Sequence, residues 1–162
     1  FGKWLLSIQD DANLKLGGNL QYFAEIGGFI NNRNVQLPDW RHFMGNQTVV
    51  ASPFVRSFQL APYYANSTRD NFYATGHVEW HLNGLLTNKI PLFRKLNWNL
   101  VTGSNAFFVD AKRNYVELFV GLENIFKTIR VDWVAGYDGF NGKPTTGFVI
   151  GFSGLFTGQG VE

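Results

Sequence analysis

Phe72-Tyr73-Ala74-Thr75-Gly76-His77-Val78-Glu79-Trp80-His81-Leu82-Asn83 alternates along its whole length. Its even positions are Phe72, Ala74, Gly76, Val78, Trp80 and Leu82, all apolar or small. Its odd positions are Tyr73, Thr75, His77, Glu79, His81 and Asn83, polar apart from the tyrosine ring. Successive side chains of a β-strand point to opposite faces, so a period of two predicts a strand with one apolar and one polar face. A helix would repeat its apolar positions every 3.6 residues.

The same split runs outward from this segment. Thr128–Tyr137 sets Ile129, Val131, Trp133, Ala135 and Tyr137 against Arg130 and Asp132. Tyr115–Asn124 sets Val116, Leu118, Val120 and Leu122 against Glu117 and Glu123, and Lys95–Phe108 sets Leu96, Trp98 and Leu100 against Asn97, Asn99 and Asn105. Gly147–Phe156 carries Phe148, Ile150, Phe152 and Phe156 on one face. Upstream, Leu14–Ile30 alternates over a long stretch, and Trp4, Leu6 and Ile8 make a short first segment. Phe58–Tyr64 is the weakest, because Pro62 interrupts it and proline is confined to strand edges, ends or bulges. These segments predict eight antiparallel strands. Turn-forming residues separate them at 10–13, 65–71, 110–113 and 138–142, with longer connections at 31–48 and 85–94. With no repeat and no linker, one β-domain is expected over 1–156, followed by a tail at 157–162.

Which face lies outside separates a soluble barrel from a membrane barrel. In the first the apolar rows fill the middle; in the second they meet lipid and the polar rows face the lumen. Charged residues make up 16% of the chain, against roughly 25% in an average soluble domain, while aromatics reach 17% with 18 Gly and 16 Phe. Aromatics gather near strand ends, where a ring with one apolar and one polar edge suits the water–hydrocarbon boundary. Trp80, Trp98, Trp133 and Tyr137 are therefore expected as interface aromatics. From Trp98 to Phe108, at roughly 3.3 Å per residue and a tilt of about 40°, the strand spans on the order of 25 Å, the height of an outer-membrane apolar band. The aromatic row Phe148, Ile150, Phe152 and Phe156 is expected to be the assembly signal of a final strand. These features predict an all-β, antiparallel transmembrane barrel in a bacterial outer membrane. It would close alone or with strands from the rest of a longer polypeptide.

Other classes find little support. The net charge of +2 does not suit a nucleic-acid binder, and the absence of cysteine excludes disulfides, thiolate metal sites and a cysteine nucleophile. No run of about 18 apolar residues predicts a membrane helix. No signal peptide precedes Phe1-Gly2-Lys3-Trp4, so a mature form or a fragment is expected.

Several stretches carry a family resemblance: Leu37-Pro38-Asp39, His42-Phe43-Met44-Gly45-Asn46, Trp80-His81-Leu82-Asn83-Gly84-Leu85, Asn88-Lys89-Ile90-Pro91-Leu92-Phe93-Arg94-Lys95-Leu96, and Gly121-Leu122-Glu123-Asn124-Ile125-Phe126-Lys127 leading into Arg130-Val131-Asp132. Together they resemble the C-terminal barrel of a Bacteroidota outer-membrane family of unknown function whose members carry an N-terminal carboxypeptidase-like regulatory domain. The last strands are more distantly similar to the BamA/surface-antigen superfamily, without an Arg-Gly-Tyr-type loop motif. The resemblance implies location and architecture and brings no catalytic residues. Family convention would put Phe156 at the periplasmic side, together with 121–127, 85–94 and 31–48. The turns at 10–13, 65–71, 110–113 and 138–145 would then lie outside.

His77, Glu79 and His81 share one strand face, roughly 6.5–7 Å apart in alternate positions, which is wide for joint ligation of one ion. With Glu117, Arg130 and Asp132 they are expected to form a polar network lining the lumen; a pore lining is the sharper alternative. No Gly-x-Ser-x-Gly, phosphate loop or His-Glu-x-x-His is present. Gly17-Gly18 and Gly27-Gly28 are read as bends or close packing within a strand, and His42 with Asp39 as a structural turn. Lys89, Arg94, Lys95, Lys127 and Arg56 are expected together at the periplasmic rim. No catalytic, cofactor or metal residue is assigned. The expected function is a non-enzymatic outer-membrane barrel acting as scaffold, assembly component or transport element. Its expected partners are membrane lipid, the barrel-assembly machinery and further strands or subunits, and no nucleic acid. A lipid-modifying enzyme using His77, Glu79 or His81, and a soluble small-ligand-binding barrel, are the alternatives.

Overall fold

The computed structural model describes residues 1–51, 56–64, 66–139 and 144–152. Seven strands form one sheet: β1 Lys3–Asn13, β2 Asn19–Phe29, β3 Tyr73–His81, β4 Asn99–Phe108, β5 Asn114–Ile125, β6 Ile129–Asp138 and β7 Thr145–Phe152. Each pairs antiparallel with its sequence neighbour, in the order β1 to β7. A short helix, α1 (Pro91–Leu96), lies between β3 and β4, and among the described residues no helix is long and apolar enough to cross a membrane. Such a meander gathers the connections at two ends. The turns 14–18, 82–98 and 126–128 share one; the connection 30–72, the turn 109–113 and the β6–β7 link share the other.

One face of the sheet is apolar and exposed, and the other is enclosed and carries polar as well as apolar side chains. Val78, Val116, Leu118, Val120, Phe148, Ile150 and Phe152 are exposed, with Trp133 at 43% and Phe148 at 66%. On the opposite face His77, Glu79, Asn105, Glu117, Arg130 and Asp132 are buried, Glu117 at 0% and Arg130 at 2%. What encloses that face is the connection 30–72. Its Phe43, Phe58 and Ala61 pack with Tyr73, Phe107 and Tyr115 of the sheet and with Val109 of the turn after β4. The Phe43 and Phe107 rings stack at 4.3 Å, and Phe58 meets Phe107 edge-on at 5.2 Å. A second apolar cluster, Val101, Phe119, Val134 and Val149, receives Ala51 and Leu60 from the same connection. Aromatic pairs in these geometries add about 0.5–1.5 kcal/mol beyond their buried area, so the connection is bound as core.

The sheet is open among the described residues. Among these residues the outer edge of β1 has no strand beside it. The outer edge of β7 is met by residues 49–51, where Ala51 N–H donates to Ile150 O (2.8 Å) and Ile150 N–H donates to Val49 O (2.7 Å).

Several sequence expectations are corrected. Among the described residues there are seven strands where eight are expected, because Phe58–Tyr64 is irregular: Tyr64 adopts positive φ, Pro62 cannot donate to a ladder, and Phe58–Ala61 turns inward while Tyr63 and Tyr64 are exposed. An odd count puts the start of β1 and the end of β7 at opposite ends of the sheet. The first turn is 14–18, not 10–13. Asp10 and Asp11 stay in β1 opposite Tyr22 and Gln21, and Asp11 accepts a 3.2 Å bond from Gln21 Nε2. Gly17 and Gly18 therefore belong to a turn, with Gly18 at φ +91°, whereas Gly27 and Gly28 do lie in β2. The connection 30–72 shares its end with 109–113, not with 82–98 and 126–128 as expected for 31–48. Phe156 and the tail 157–162 lie outside the described residues.

Candidate functional site

The enclosed face carries two polar clusters, each assembled by register. On β3, Glu79 lies opposite Gln21 and Gly103, and His77 opposite Phe23 and Asn105. Glycines on neighbouring strands make the room. A β-carbon at Gly121 would overlap the Asp132 carboxylate, and one at Gly136 would overlap the Tyr115 hydroxyl. Large polar side chains can thus lie along the sheet instead of standing off it.

The first cluster is ionic. Arg130 donates from Nε and Nη2 to Asp132 (2.8–3.0 Å) and from Nη1 and Nη2 to Glu79 (2.5 and 3.3 Å). One planar guanidinium thus bridges two carboxylates, a fork that lysine could not supply. His81 continues the chain, its Nε2 2.8 Å from Glu79 and its Nδ1 2.9 Å from Glu123. Both ring nitrogens face carboxylate oxygens, which satisfies the two contacts only when both carry protons. Phe119 closes one side, its ring 5.5 Å from the guanidinium carbon.

The second cluster is centred on Glu117, whose carboxylate accepts from four donors. These are Gln59 N–H (2.8 Å), Leu60 N–H (3.2 Å), Asn105 Nδ2 (2.7 Å) and Tyr115 O–H (3.1 Å). With its amide nitrogen on Glu117, Asn105 presents its oxygen to His77 Nδ1 at 2.9 Å, which makes Nδ1 the protonated nitrogen of that ring. A small cavity is lined in part by Gln21, Phe23, His77, Glu79 and Asn105, and so touches both clusters.

All six residues expected in the lumen network thus lie on the enclosed face, divided as Glu79, His81, Arg130 and Asp132 in one cluster and His77 and Glu117 in the other. Sequence reading missed Gln59 and Leu60, because their contribution is backbone N–H, and it missed the Arg41–Glu25 ion pair (2.9 Å) at the same face. One signal was available: a connection longer than about 12–15 residues is unusual unless it packs or functions, and this one holds Arg41, Phe43 and Phe58. His42 staples that connection through Ser67 Oγ (2.7 Å) and Leu37 O (3.0 Å), a structural role.

Of the expected interface aromatics, Trp80 and Trp98 sit at the 82–98 end, where Trp80 Nε1 donates to Gly17 O (2.8 Å) and Trp98 packs on Phe93. Tyr137 lies at the opposite end of β6, but Trp133 lies midway along it, opposite Val120 and Phe148. Phe148, Ile150 and Phe152 form one exposed row on β7. Arg56 does not share the 82–98 and 126–128 end of the sheet with Lys89, Arg94, Lys95 and Lys127. It hydrogen-bonds Gln9 and stacks 4.4 Å from the Phe23 ring. Among the described residues no three His, Asp or Glu side chains are grouped to hold a metal ion.

No curated protein and no solved structure matches the chain. Residues 1–122 match the C-terminal domain of DUF5686, a family of unknown function. That match takes in β1 to β4, the whole packed connection and most of β5, and the chain belongs to this family.

Proposed function

We propose that the chain is a non-enzymatic wall section of an outer-membrane β-barrel, serving as scaffold, with the connection 30–72 as its internal plug. The observation that carries this reading is the inversion of the faces: exposed Trp133, Leu118, Val120, Phe148 and Ile150 back directly onto buried Glu117, Arg130 and Asp132. Water would solvate the second set readily and the first poorly; hydrocarbon reverses both preferences.

Bacteroidota is the proposed source and the outer membrane the proposed location. An exposed aromatic row on β7 suits the barrel-assembly machinery. The unpaired edge of β1 supports further strands or subunits beside it, because an open edge cannot face lipid. The packed connection favours scaffold over conduit: Phe43 and Phe58 occupy the space an open channel needs. The buried positions of His77 and Glu79 weigh against catalysis on membrane lipid, which requires reactive groups at the wall.

The test is folding with and without an apolar phase. The denatured chain diluted into detergent micelles or lipid vesicles is expected to gain strand circular dichroism, protease resistance and a heat-sensitive gel mobility. Dilution into plain buffer is expected to give aggregate. A monodisperse folded protein in plain buffer would refute the proposal.

A further inference from the structure

The two ends of the sheet differ in charge chemistry. The segments 14–18, 82–98 and 126–128 contain Lys15, Lys89, Arg94, Lys95 and Lys127 and no Asp or Glu. All five cations are exposed, and none forms an ion pair with a described residue. Glu123, near this end of β5, is turned inward to His81. Toward the opposite end, by contrast, several arginines are engaged: Arg41 with Glu25, Arg113 with Asp70 and Asp110, Arg69 over Trp40.

Interleaved with the five cations are exposed aliphatic and aromatic side chains: Leu16 at 91%, Phe126 at 84%, and Leu86, Ile90, Leu92 and Leu96. The backbone accepts strain to present some of them. Lys15 sits at φ 54°, Phe126 at φ 48° and Lys127 at φ 71°, a region that glycine or asparagine occupies with least cost. Lys127 N–H donates to Asn124 O and Thr128 N–H to Ile125 O, so the β5–β6 link is a tight hairpin turn of the kind Asn-Gly favours. Phe-Lys in those two positions is a poor choice for the turn and a good one for a surface that needs an aromatic beside a cation.

We infer that this end of the sheet is a docking rim for the phosphate headgroups of anionic glycerophospholipid, with Leu16, Leu92 and Phe126 entering the acyl boundary and the five cations holding the phosphates. The inference rests on the membrane reading above, because the rim continues the exposed apolar rows of the strands. Cations beside a membrane surface attract anionic lipid additively and in a salt-sensitive manner, and aliphatic stems of Lys and Arg cover apolar surface while the charged heads reach outward.

The test measures insertion of the chain into neutral phosphatidylcholine vesicles and into vesicles that also contain phosphatidylglycerol, read by protease protection. Wild type is expected to insert into both, with apparent affinity raised at least about tenfold by the anionic lipid at low salt and the gain abolished at high salt. Replacing Lys15, Lys89, Arg94, Lys95 and Lys127 together by Gln is expected to remove the gain while leaving insertion into neutral vesicles unchanged. Arg33→Gln with Lys112→Gln, two exposed cations of the opposite end, is expected to keep it. If the five-fold variant misfolds, Phe126→Asn with Lys127→Gly decides, since it relieves the turn and is expected to lower the anionic gain by about twofold or more. Equal insertion of wild type into both lipids, or a gain retained by the rim variants, overturns this inference and leaves the membrane reading standing. Failure to enter any bilayer overturns both.

Discussion

The two polar clusters of the enclosed face solve one problem differently. Glu117 is held largely from outside the sheet: two of its four donors are backbone N–H groups of the connection, and the rings of Phe58 and Phe107 pack nearby. Glu79 and Asp132 are held by the sheet itself, through one arginine of β6 and one histidine of β3. A carboxylate buried without a partner is costly in either place. The difference is that the first cluster takes two of its donors from the connection, whereas the contacts described for the second come from residues of the sheet. The enclosed face toward the 30–72 connection is therefore a packed core, and its part toward 82–98 and 126–128 is a cross-strand clamp.

Breaking the clamp is expected to have the largest effect. Arg130→Met leaves two buried carboxylates facing each other and is expected to cost about 3–5 kcal/mol, measured by denaturant unfolding in micelles. Adding Glu79→Gln and Asp132→Asn to that variant is expected to restore a substantial part; no restoration would mean the loss came from packing. Next is Phe58→Ala, which removes the ring that anchors the connection, with an expected loss of about 3 kcal/mol and faster proteolysis within 30–72. Glu117→Gln keeps the shape but turns an acceptor against its donors, an expected loss of about 1–3 kcal/mol confined to the plugged end. Gly121→Ala pushes a methyl group against Asp132 and is expected to cost about 1–3 kcal/mol without releasing the connection. The smallest effect is expected at the exposed turn. Arg113 beside Asp110 holds that carboxyl below its usual range, so any contribution is present above the ordinary carboxylate range and fades as pH falls through the lowered value. Asp110→Asn is expected to leave the unfolding midpoint at neutral pH unchanged.

How much of this was legible in the sequence follows from what a pattern of period two can carry. Alternation in 72–83, 114–125 and 129–138 assigns each side chain to a face, and so places His77, Glu79, Glu117, Arg130 and Asp132 together before any coordinates. It does not carry pairing distances, so the division into two clusters was hidden, as was the bridging by Arg130. Alternation also fails where residues turn inward without regular backbone. Phe58, Leu60 and Tyr64 line up as a strand would, yet the segment is a packed strap broken by Pro62 and by positive φ at Tyr64. Asp10 and Asp11 look like a turn because acids are common in turns, but on an exposed edge strand they cost little and pair with Gln21 and Tyr22. Arg56 was misassigned to the rim for a similar reason: charge alone says nothing of which end of a meander a loop occupies.

The central claim is that the exposed rows meet hydrocarbon, and Trp133 is the natural reporter because it lies midway along β6 on the exposed face. A variant retaining Trp133, with Trp4, Trp40, Trp80 and Trp98 replaced by Phe, would be folded into vesicles whose lipids carry bromine at defined acyl depths. The account predicts blue-shifted emission, quenched most strongly by bromines near the middle of the bilayer. Emission at the wavelength of a water-exposed indole, indifferent to bromine at every depth, would contradict it.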